Sequence, residues 1–135
     1  MTIYICDDSK SDLLRLNHHL QEYLSHQDQK ITIESFQSGE ELLRRYEETM
    51  EKPSLIFLDI YMDGITGMEA ARRIRNQSDD CILVFVTTSS EFAVESYDVN
   101  AAYYLLKPFQ PEKLCQILDS FRLKEALHAR YIEII

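Results

Sequence analysis

The sequence is short of the residues that break or separate folded segments. Its 135 residues include only three glycines and three prolines, while 45% of them are hydrophobic. A chain of this length and composition forms one compact domain that buries roughly two-thirds of its unfolded surface, so a second complete domain is excluded. Its apolar runs reach about six residues, far below the roughly twenty that a membrane-spanning helix needs. We therefore expect no membrane partner.

Cysteine and positive charge are also scarce. The three cysteines, Cys6, Cys81 and Cys115, are widely spaced and form no C-x-x-C motif. Without a signal peptide, this odd number predicts a reducing, cytoplasmic location, with all three as small buried or half-buried apolar residues. The 14 basic residues against 23 acidic ones give a net charge of -9, which argues against nucleic-acid binding by this chain alone. The acidic surface indicates protein partners.

Apolar runs alternate with helical patterns along the whole chain. The predicted strands are residues 3–6, 31–36, 55–58, 82–86 and 102–106. Apolar residues at helical spacing follow each of them, and the fourth helix, around residues 92–97, is short. The segments 38–41 and 88–91 have the spacing of a capping box, and Pro111 suits a first helical position.

This alternation predicts a flavodoxin-like α/β fold, in which five (βα) units form a doubly wound parallel sheet with helices on both faces. The first, third and fourth runs are continuously apolar, as buried central strands are. The second run alternates apolar Ile31 and Ile33 with polar Thr32 and Glu34, and the fifth contains adjacent tyrosines, so both suit edges. The predicted strand order is 2-1-3-4-5, with a crevice at the carboxyl ends of strands one and three.

Polar residues stand at the carboxyl ends of the predicted strands. Asp7 and Asp8 follow strand one, Asp59 follows strand three, Thr87 ends strand four and Lys107 follows strand five. Three carboxylates in one crevice do not all stay ionised without a cation. Oxygen ligands without His or Cys favour Mg²⁺ over zinc or copper.

The same residues indicate phosphoryl transfer. Any single aspartate after a strand is more often an ordinary helix cap. Asp59 together with a metal, Lys107 and a threonine hydroxyl is the arrangement that transfer to an aspartate requires, because Lys107 and the hydroxyl bind the equatorial oxygens. The combination makes a chance arrangement improbable.

Over residues 1–127 the chain resembles the receiver domains of two-component response regulators. The matching motifs are "CDD", "IFLDIYMDGITG", "FVTT" and "YYLLKPF". The resemblance implies that Asp59 accepts a phosphoryl group from a histidine kinase in the presence of Mg²⁺. It implies no enzymatic activity beyond self-catalysed phosphoryl transfer and autodephosphorylation.

The resemblance also implies individual roles for the site residues. Asp8 would bind Mg²⁺ directly and Asp7 largely through water, while the backbone carbonyl of Tyr61 would complete the protein ligands. Lys107 would pair with the phosphoryl group, and its bond to Pro108 would be cis. Two further residues would act as the switch: the hydroxyl of Thr87 would move to the phosphoryl group, and the ring of Tyr104 would follow.

Within the family, "VFVTTSSEFAVESYDVNAAYYLLKPF" is most similar to regulators of the LytTR type, whose second domain binds DNA. Residues 128–135 are expected to form a linker and the first strand of a truncated DNA-binding domain, so DNA would be bound only through that missing domain. We expect a homodimer on phosphorylation, through the face of helix four, strand five and helix five. Asp63 departs from the family pattern, which has Pro there, and Asn100 stands where Gly is common.

Three alternatives stay open at this point. A flavodoxin-like electron carrier would share the fold, but the loop after strand one carries Asp7 and Asp8 in place of a phosphate cradle. An aspartate-nucleophile phosphatase would need an acid/base Asp where Tyr61 stands. The third is a stand-alone receiver that acts only as an interaction module.

Overall fold

The structure, a computed structural model, describes residues 1–27 and 30–121. Its centre is a parallel five-stranded sheet in the order β2-β1-β3-β4-β5, which confirms the predicted fold and both predicted edges. The strands are β1 (Thr2–Cys6), β2 (Thr32–Phe36), β3 (Leu55–Leu58), β4 (Ile82–Thr87) and β5 (Tyr103–Leu106). The helices are α1 (Lys10–Leu24), α2 (Gly39–Glu48), α3 (Gly67–Gln77), a 3-10 helix (Glu95–Val99) and a last helix over residues 111–121.

Two apolar layers cover the two faces of the sheet. Because side chains alternate along a strand, Ile3 and Ile5 of β1 face one layer while Tyr4 faces the other. The first layer contains the buried leucines of α1 and the apolar face of the last helix; the second contains α2 and α3. Both faces of the central strands are therefore buried, as their continuous apolar sequence predicts.

Side-chain caps begin three of the helices. The hydroxyls of Ser9, Ser38 and Thr66 accept hydrogen bonds from the backbone N–H three residues ahead, and each stands just before α1, α2 or α3. The cap of α2 is the one predicted at residues 38–41, with 3.1 Å between Ser38 Oγ and Glu41 N. These caps satisfy backbone N–H groups in the first turns of the helices that follow β1, β2 and β3.

The prediction of a capping box at residues 88–91 was wrong. Ser89 Oγ accepts from Glu91 N at 3.2 Å, a local turn that competes with a helix start. Turns over residues 91–94 lead instead into the 3-10 helix, so the fourth crossover contains no α-helix. The crossover ends at Asn100, whose φ of 52° is left-handed as its sequence position suggested.

One cysteine also differs from expectation. Cys6 and Cys81 are buried, but Cys115 is exposed. The last helix turns Leu114, Ile117 and Leu118 towards the sheet, so the residue directly after Leu114 points away from it. The Lys107–Pro108 peptide is cis, as expected. No helix within residues 1–27 and 30–121 is long and apolar enough to cross a membrane, and the predicted strand in 128–135 lies outside the described residues.

Candidate functional site at the carboxyl edge of the sheet

Three aspartates meet at the carboxyl ends of β1 and β3, and we call Asp7, Asp8 and Asp59 the acidic triad. The register pairs Cys6 with Leu58, so the residues that follow these two strands emerge side by side. One carboxylate oxygen from each aspartate lies within 4.8 Å of the others. Asp7 and Asp59 are only 5% and 7% exposed, whereas Asp8 is open to solvent. The donor set is all oxygen and fits a hard divalent cation such as Mg²⁺.

Lys107 brings a positive charge to the triad from the neighbouring side of the sheet. Its backbone N–H donates to Thr87 O at 2.8 Å, which continues the pairing of β4 with β5. Its Nζ donates to Asp7 Oδ2 at 2.6 Å and to Asp59 Oδ2 at 3.2 Å. Burial alone would lower the pKa of Lys107, but its hydrogen bonds to carboxylates raise that pKa overall. The ammonium group therefore stays charged.

A single lysine does not neutralise the buried carboxylates. Burial and the charge of Asp7 raise the pKa of Asp59 and Lys107 lowers it, with the net result that this pKa is raised to about 6. Asp59 Oδ1 also accepts from Ile60 N at 2.8 Å, so one of its oxygens is held by the backbone. The ionised site is short of positive charge, which is the electrostatic condition that a bound cation relieves.

The hydroxyl of Thr87 lies at the end of β4 with no hydrogen-bond partner. The side chain is fully buried, and its Oγ1 is one of two buried polar side-chain atoms within residues 1–27 and 30–121 that lack a partner. An unpaired buried hydroxyl costs free energy. Thr87 therefore offers a donor for an oxygen that arrives at this edge.

Two tyrosines stand at the rim of the site. Tyr104 on β5 is half-buried, packs against Phe85 with ring centroids 6.2 Å apart, and donates from its hydroxyl to Ser89 O. Tyr61, two residues past Asp59, is 43% exposed, and its ring meets Phe92 edge-on at 5.5 Å. The role of the Tyr61 backbone carbonyl as a metal ligand stays a prediction.

The loop from β3 to α3 is held on both sides. Asp63 N donates to Asp8 Oδ2 at 3.3 Å, and Ile65 N donates to Glu40 Oε1 at 2.8 Å. Asp63 stands where the family has Pro, which has no N–H, so the contact with Asp8 depends on this departure from the pattern. Gly67 begins α3 against the backbone of Asp59, where a Cβ would overlap the Asp59 carbonyl.

Sequence reasoning missed two residues of this edge, Asp12 and Glu40. Asp12 Oδ2 accepts from Lys107 Nζ at 2.9 Å. Its position in the first turn of the helix that follows Asp7 and Asp8 is a signal that was present in the sequence, but an acidic residue in the first turn of a helix is common for other reasons. Glu40 also lies in a first turn, that of α2, and nothing local to it predicts contact with a loop 25 residues away.

A doubly wound parallel sheet with an acidic triad, a lysine and a hydroxyl at its carboxyl edge is the arrangement of phosphoryl-accepting signalling domains. The family model of the response regulator receiver domain matches residues 3–119. The chain therefore belongs to the receiver domains of two-component response regulators. This membership does not favour the electron-carrier alternative.

Individual relatives and solved structures agree with the family. The chain is 40% identical over 103 residues to the sensory transduction protein LytT of Oceanobacillus iheyensis, covering 74% of this chain and 41% of that protein. The response regulatory domain of mrkE from Klebsiella pneumoniae has a TM-score of 0.80 at 27% identity, covering 92% of this chain and 97% of that one. The regulator TrrA of Thermotoga maritima, solved with Mg²⁺-BeF, has a TM-score of 0.75 at 27% identity, with coverages of 88% and 96%. The chain thus spans less than half of the LytT relative.

Proposed function

We propose that Asp59 accepts a phosphoryl group from a histidine of a sensor kinase. Receiver domains of this family are phosphorylated by such kinases, and a single observation supports the assignment to Asp59. Among the three aspartates of the triad, Asp59 is the one that follows the middle strand, β3, so the carboxylates after β1 lie on one side of it and Thr87 at the end of β4 lies on the other, while its Oδ2 faces Lys107 Nζ at 3.2 Å. That side chain would therefore be close both to a cation bound by the triad and to Lys107, a positively charged anchor for phosphoryl oxygens.

The transfer moves one phosphoryl group between two residues. A carboxylate oxygen of Asp59 forms a bond to phosphorus, the bond from phosphorus to the kinase imidazole nitrogen breaks, and its electron pair returns to the imidazole. Lys107 and the free hydroxyl of Thr87 donate hydrogen bonds to the phosphoryl oxygens. Autodephosphorylation reverses the loading: water attacks phosphorus, the Asp59–phosphorus bond breaks, and inorganic phosphate leaves. The domain is then a phosphoacceptor that catalyses its own reactions, and not a separate enzyme.

The acidic triad would hold Mg²⁺ in this reaction. Asp8 and Asp59 supply direct carboxylate ligands, Asp7 contributes largely through water, and the carbonyl of Tyr61 completes the protein ligands. When bound, Mg²⁺ neutralises negative charge on the transferring oxygens. The support is the cluster of oxygens within 4.8 Å and the shortage of positive charge at Asp59.

Phosphorylation would act through Thr87 and Tyr104. When the Thr87 hydroxyl donates a hydrogen bond to the phosphoryl group, the Tyr104 hydroxyl gives up its hydrogen bond to Ser89 O and the Tyr104 ring moves closer to the site. We propose that the face formed by the fourth crossover, β5 and the last helix then forms a homodimer. Large exposed apolar side chains on those elements support this: Val94, Tyr97 and Leu106.

In the whole protein, the receiver of residues 1–127 would control an output region. The chain spans 41% of LytT, so most of that relative has no counterpart in it. We propose a DNA-binding output of the LytTR type, beginning with the linker and strand at residues 128–135. A cytoplasmic location is proposed with it, because the three free cysteines fit a reducing compartment.

Intact mass spectrometry tests the assignment. The protein incubated with Mg²⁺ and acetyl phosphate should gain one phosphoryl group, and Asp59→Asn should gain none. Asp63→Asn is the matched control, because it removes an exposed carboxylate four residues away and should be phosphorylated normally. Full phosphorylation of Asp59→Asn, or loss of it in Asp63→Asn alone, would show that the acceptor is misassigned.

A further inference from the structure

Asp12 is a fourth carboxylate at the site, and Lys107 is the residue through which it contacts the acidic triad. It lies in the first turn of α1, where its Oδ2 is 2.9 Å from Lys107 Nζ and its Oδ1 is 3.8 Å from Arg15 Nη1. Within the described residues, the cluster able to hold a metal comprises the acidic triad and does not include Asp12. We propose that Asp12 is a positioning residue, which holds the Lys107 ammonium in place for the phosphoryl group on Asp59. This inference rests on the proposed function.

The hydrogen bonds of Lys107 show why a separate partner matters. An ammonium group has three N–H donors, and here they meet Asp7 at 2.6 Å, Asp12 at 2.9 Å and Asp59 at 3.2 Å. Asp7 and Asp59 also belong to the triad, so a cation there competes with Lys107 for their oxygens. Asp12 does not belong to the cluster that could bind the cation. It is the carboxylate that continues to hold Lys107 when the triad is loaded.

The space around Lys107 makes this restraint necessary. Its side chain lines a cavity of about 260 Å³ between α1 and the loop after β5, together with Asp12, Arg15, Thr88 and Phe109. A lysine has a flexible four-carbon stem, and the cavity has room for other rotamers that turn the ammonium away from Asp59. Two carboxylates on different elements, Asp7 after β1 and Asp12 on α1, restrict Nζ to one place.

The negative charge of Asp12 offers a second explanation for any effect of Asp12 on phosphorylation, and the two explanations predict different kinetics. A negative group near the entrance would repel an anionic phosphodonor and raise its KM without changing the rate at saturation. A positioning residue acts in the transition state, where Lys107 must already be in place. Its loss therefore lowers the saturating rate and leaves KM nearly unchanged.

The test compares Asp12→Asn with the parent in two measurements. The first is the rate of phosphorylation by acetyl phosphate, measured with saturating Mg²⁺. In Asp12→Asn the rate at saturating acetyl phosphate should fall about tenfold, while the KM for acetyl phosphate changes by about twofold or less. The second is the NMR exchange rate of the Lys107 ζ protons with water without any phosphodonor, which should increase. Glu22→Gln is the control, because it removes one charge from an exposed position on the same helix. It should leave both values unchanged.

A double mutant decides whether Asp12 acts through Lys107. In a Lys107→Met background, Asp12→Asn should have no further effect on the rate. A persistent effect there, a change in KM alone, or unchanged ζ-proton exchange would overturn the proposal. If the parent itself takes no phosphoryl group, the proposed function fails, and the exchange measurement still decides whether Asp12 holds Lys107.

Discussion

The acidic triad should make the metal-free protein less stable at neutral pH than a variant with fewer charges. The perturbation is Asp59→Asn, which keeps the shape of the side chain and removes its charge. The pKa of Asp59 is about 6 in the folded protein, because burial and Asp7 disfavour its ionised form. An unfolded aspartate has a pKa of about 3.9. The difference of about 2 units corresponds to about 3 kcal/mol at most.

Two features of the site make the expected stability difference smaller than this upper limit. Water reaches the triad through exposed Asp8, and Lys107 keeps Asp7 and Asp12 as partners after the substitution. We therefore expect Asp59→Asn to raise the free energy of unfolding by about 2 kcal/mol at pH 7.5, or the melting temperature by about 6–8 °C. Mg²⁺ should stabilise the parent and have a much smaller effect on the variant.

The pH dependence follows from the direction of the shift. Because the folded pKa of Asp59 is raised, the folded state holds an extra proton between about pH 4 and pH 6. The contribution of Asp59 to stability is therefore greatest below about pH 4, falls as the pH rises through about 6, and is constant above that. The advantage of Asp59→Asn should accordingly vanish near pH 4.

Urea unfolding followed by circular dichroism, in EDTA and in Mg²⁺ from pH 4 to 8, measures these differences. Asp8→Asn is the matched control, because it also removes one carboxylate of the triad, but an exposed one. It should lose the stabilisation by Mg²⁺, and its free energy of unfolding in EDTA should rise by less than that of Asp59→Asn. The reasoning is refuted if Asp59→Asn is less stable than the parent at pH 7.5 in EDTA, or if its advantage is the same at every pH.

Three further substitutions test separate parts of the structure. Thr87→Val should stabilise the unphosphorylated protein by about 1 kcal/mol in urea unfolding, because it removes an unpaired buried hydroxyl. It should also reduce the NMR shift changes around Tyr104 on phosphorylation, and a full response would contradict the switch. Arg75→Ala should cost about 2–3 kcal/mol by the same unfolding assay, since Arg75 donates to Val99 O at 2.6 Å and Cys81 O at 2.8 Å; a change below about 0.5 kcal/mol would show that these bonds contribute little. Tyr61→Asn should shorten the lifetime of the phosphoryl group, followed by release of inorganic phosphate, because a large ring at the rim obstructs the attacking water. An equal or longer lifetime would rule this out.

Local sequence signals predicted most of the secondary structure, and failed where several local choices compete. The apolar runs of β1, β3 and β4 are buried on both faces, which few arrangements other than central parallel strands allow. The predicted capping box in the fourth crossover was wrong, because Ser89 makes a short-range turn where the spacing suggested a helix cap. The prediction that Cys115 is buried or half-buried was wrong, because the orientation of the last helix about its axis turns this residue towards solvent. A small apolar residue by itself does not indicate which face of a helix is buried.

Hydrophobic patterning and residue type are enough to predict the strand order, the carboxyl edge at which polar residues collect, and the residue types of the acidic triad. These follow from periodicity and from topology rules that apply to any parallel sheet. The identity of the carboxylates that share Lys107, in contrast, depends on how the whole domain packs. Asp12 and Lys107 are 95 residues apart, and they meet because the pairing of β1 with β3, of β3 with β4 and of β4 with β5 sets the level at which each chain segment leaves the sheet. A hydrogen bond depends on positions to within a few tenths of an ångström, and packing across the whole domain sets those positions.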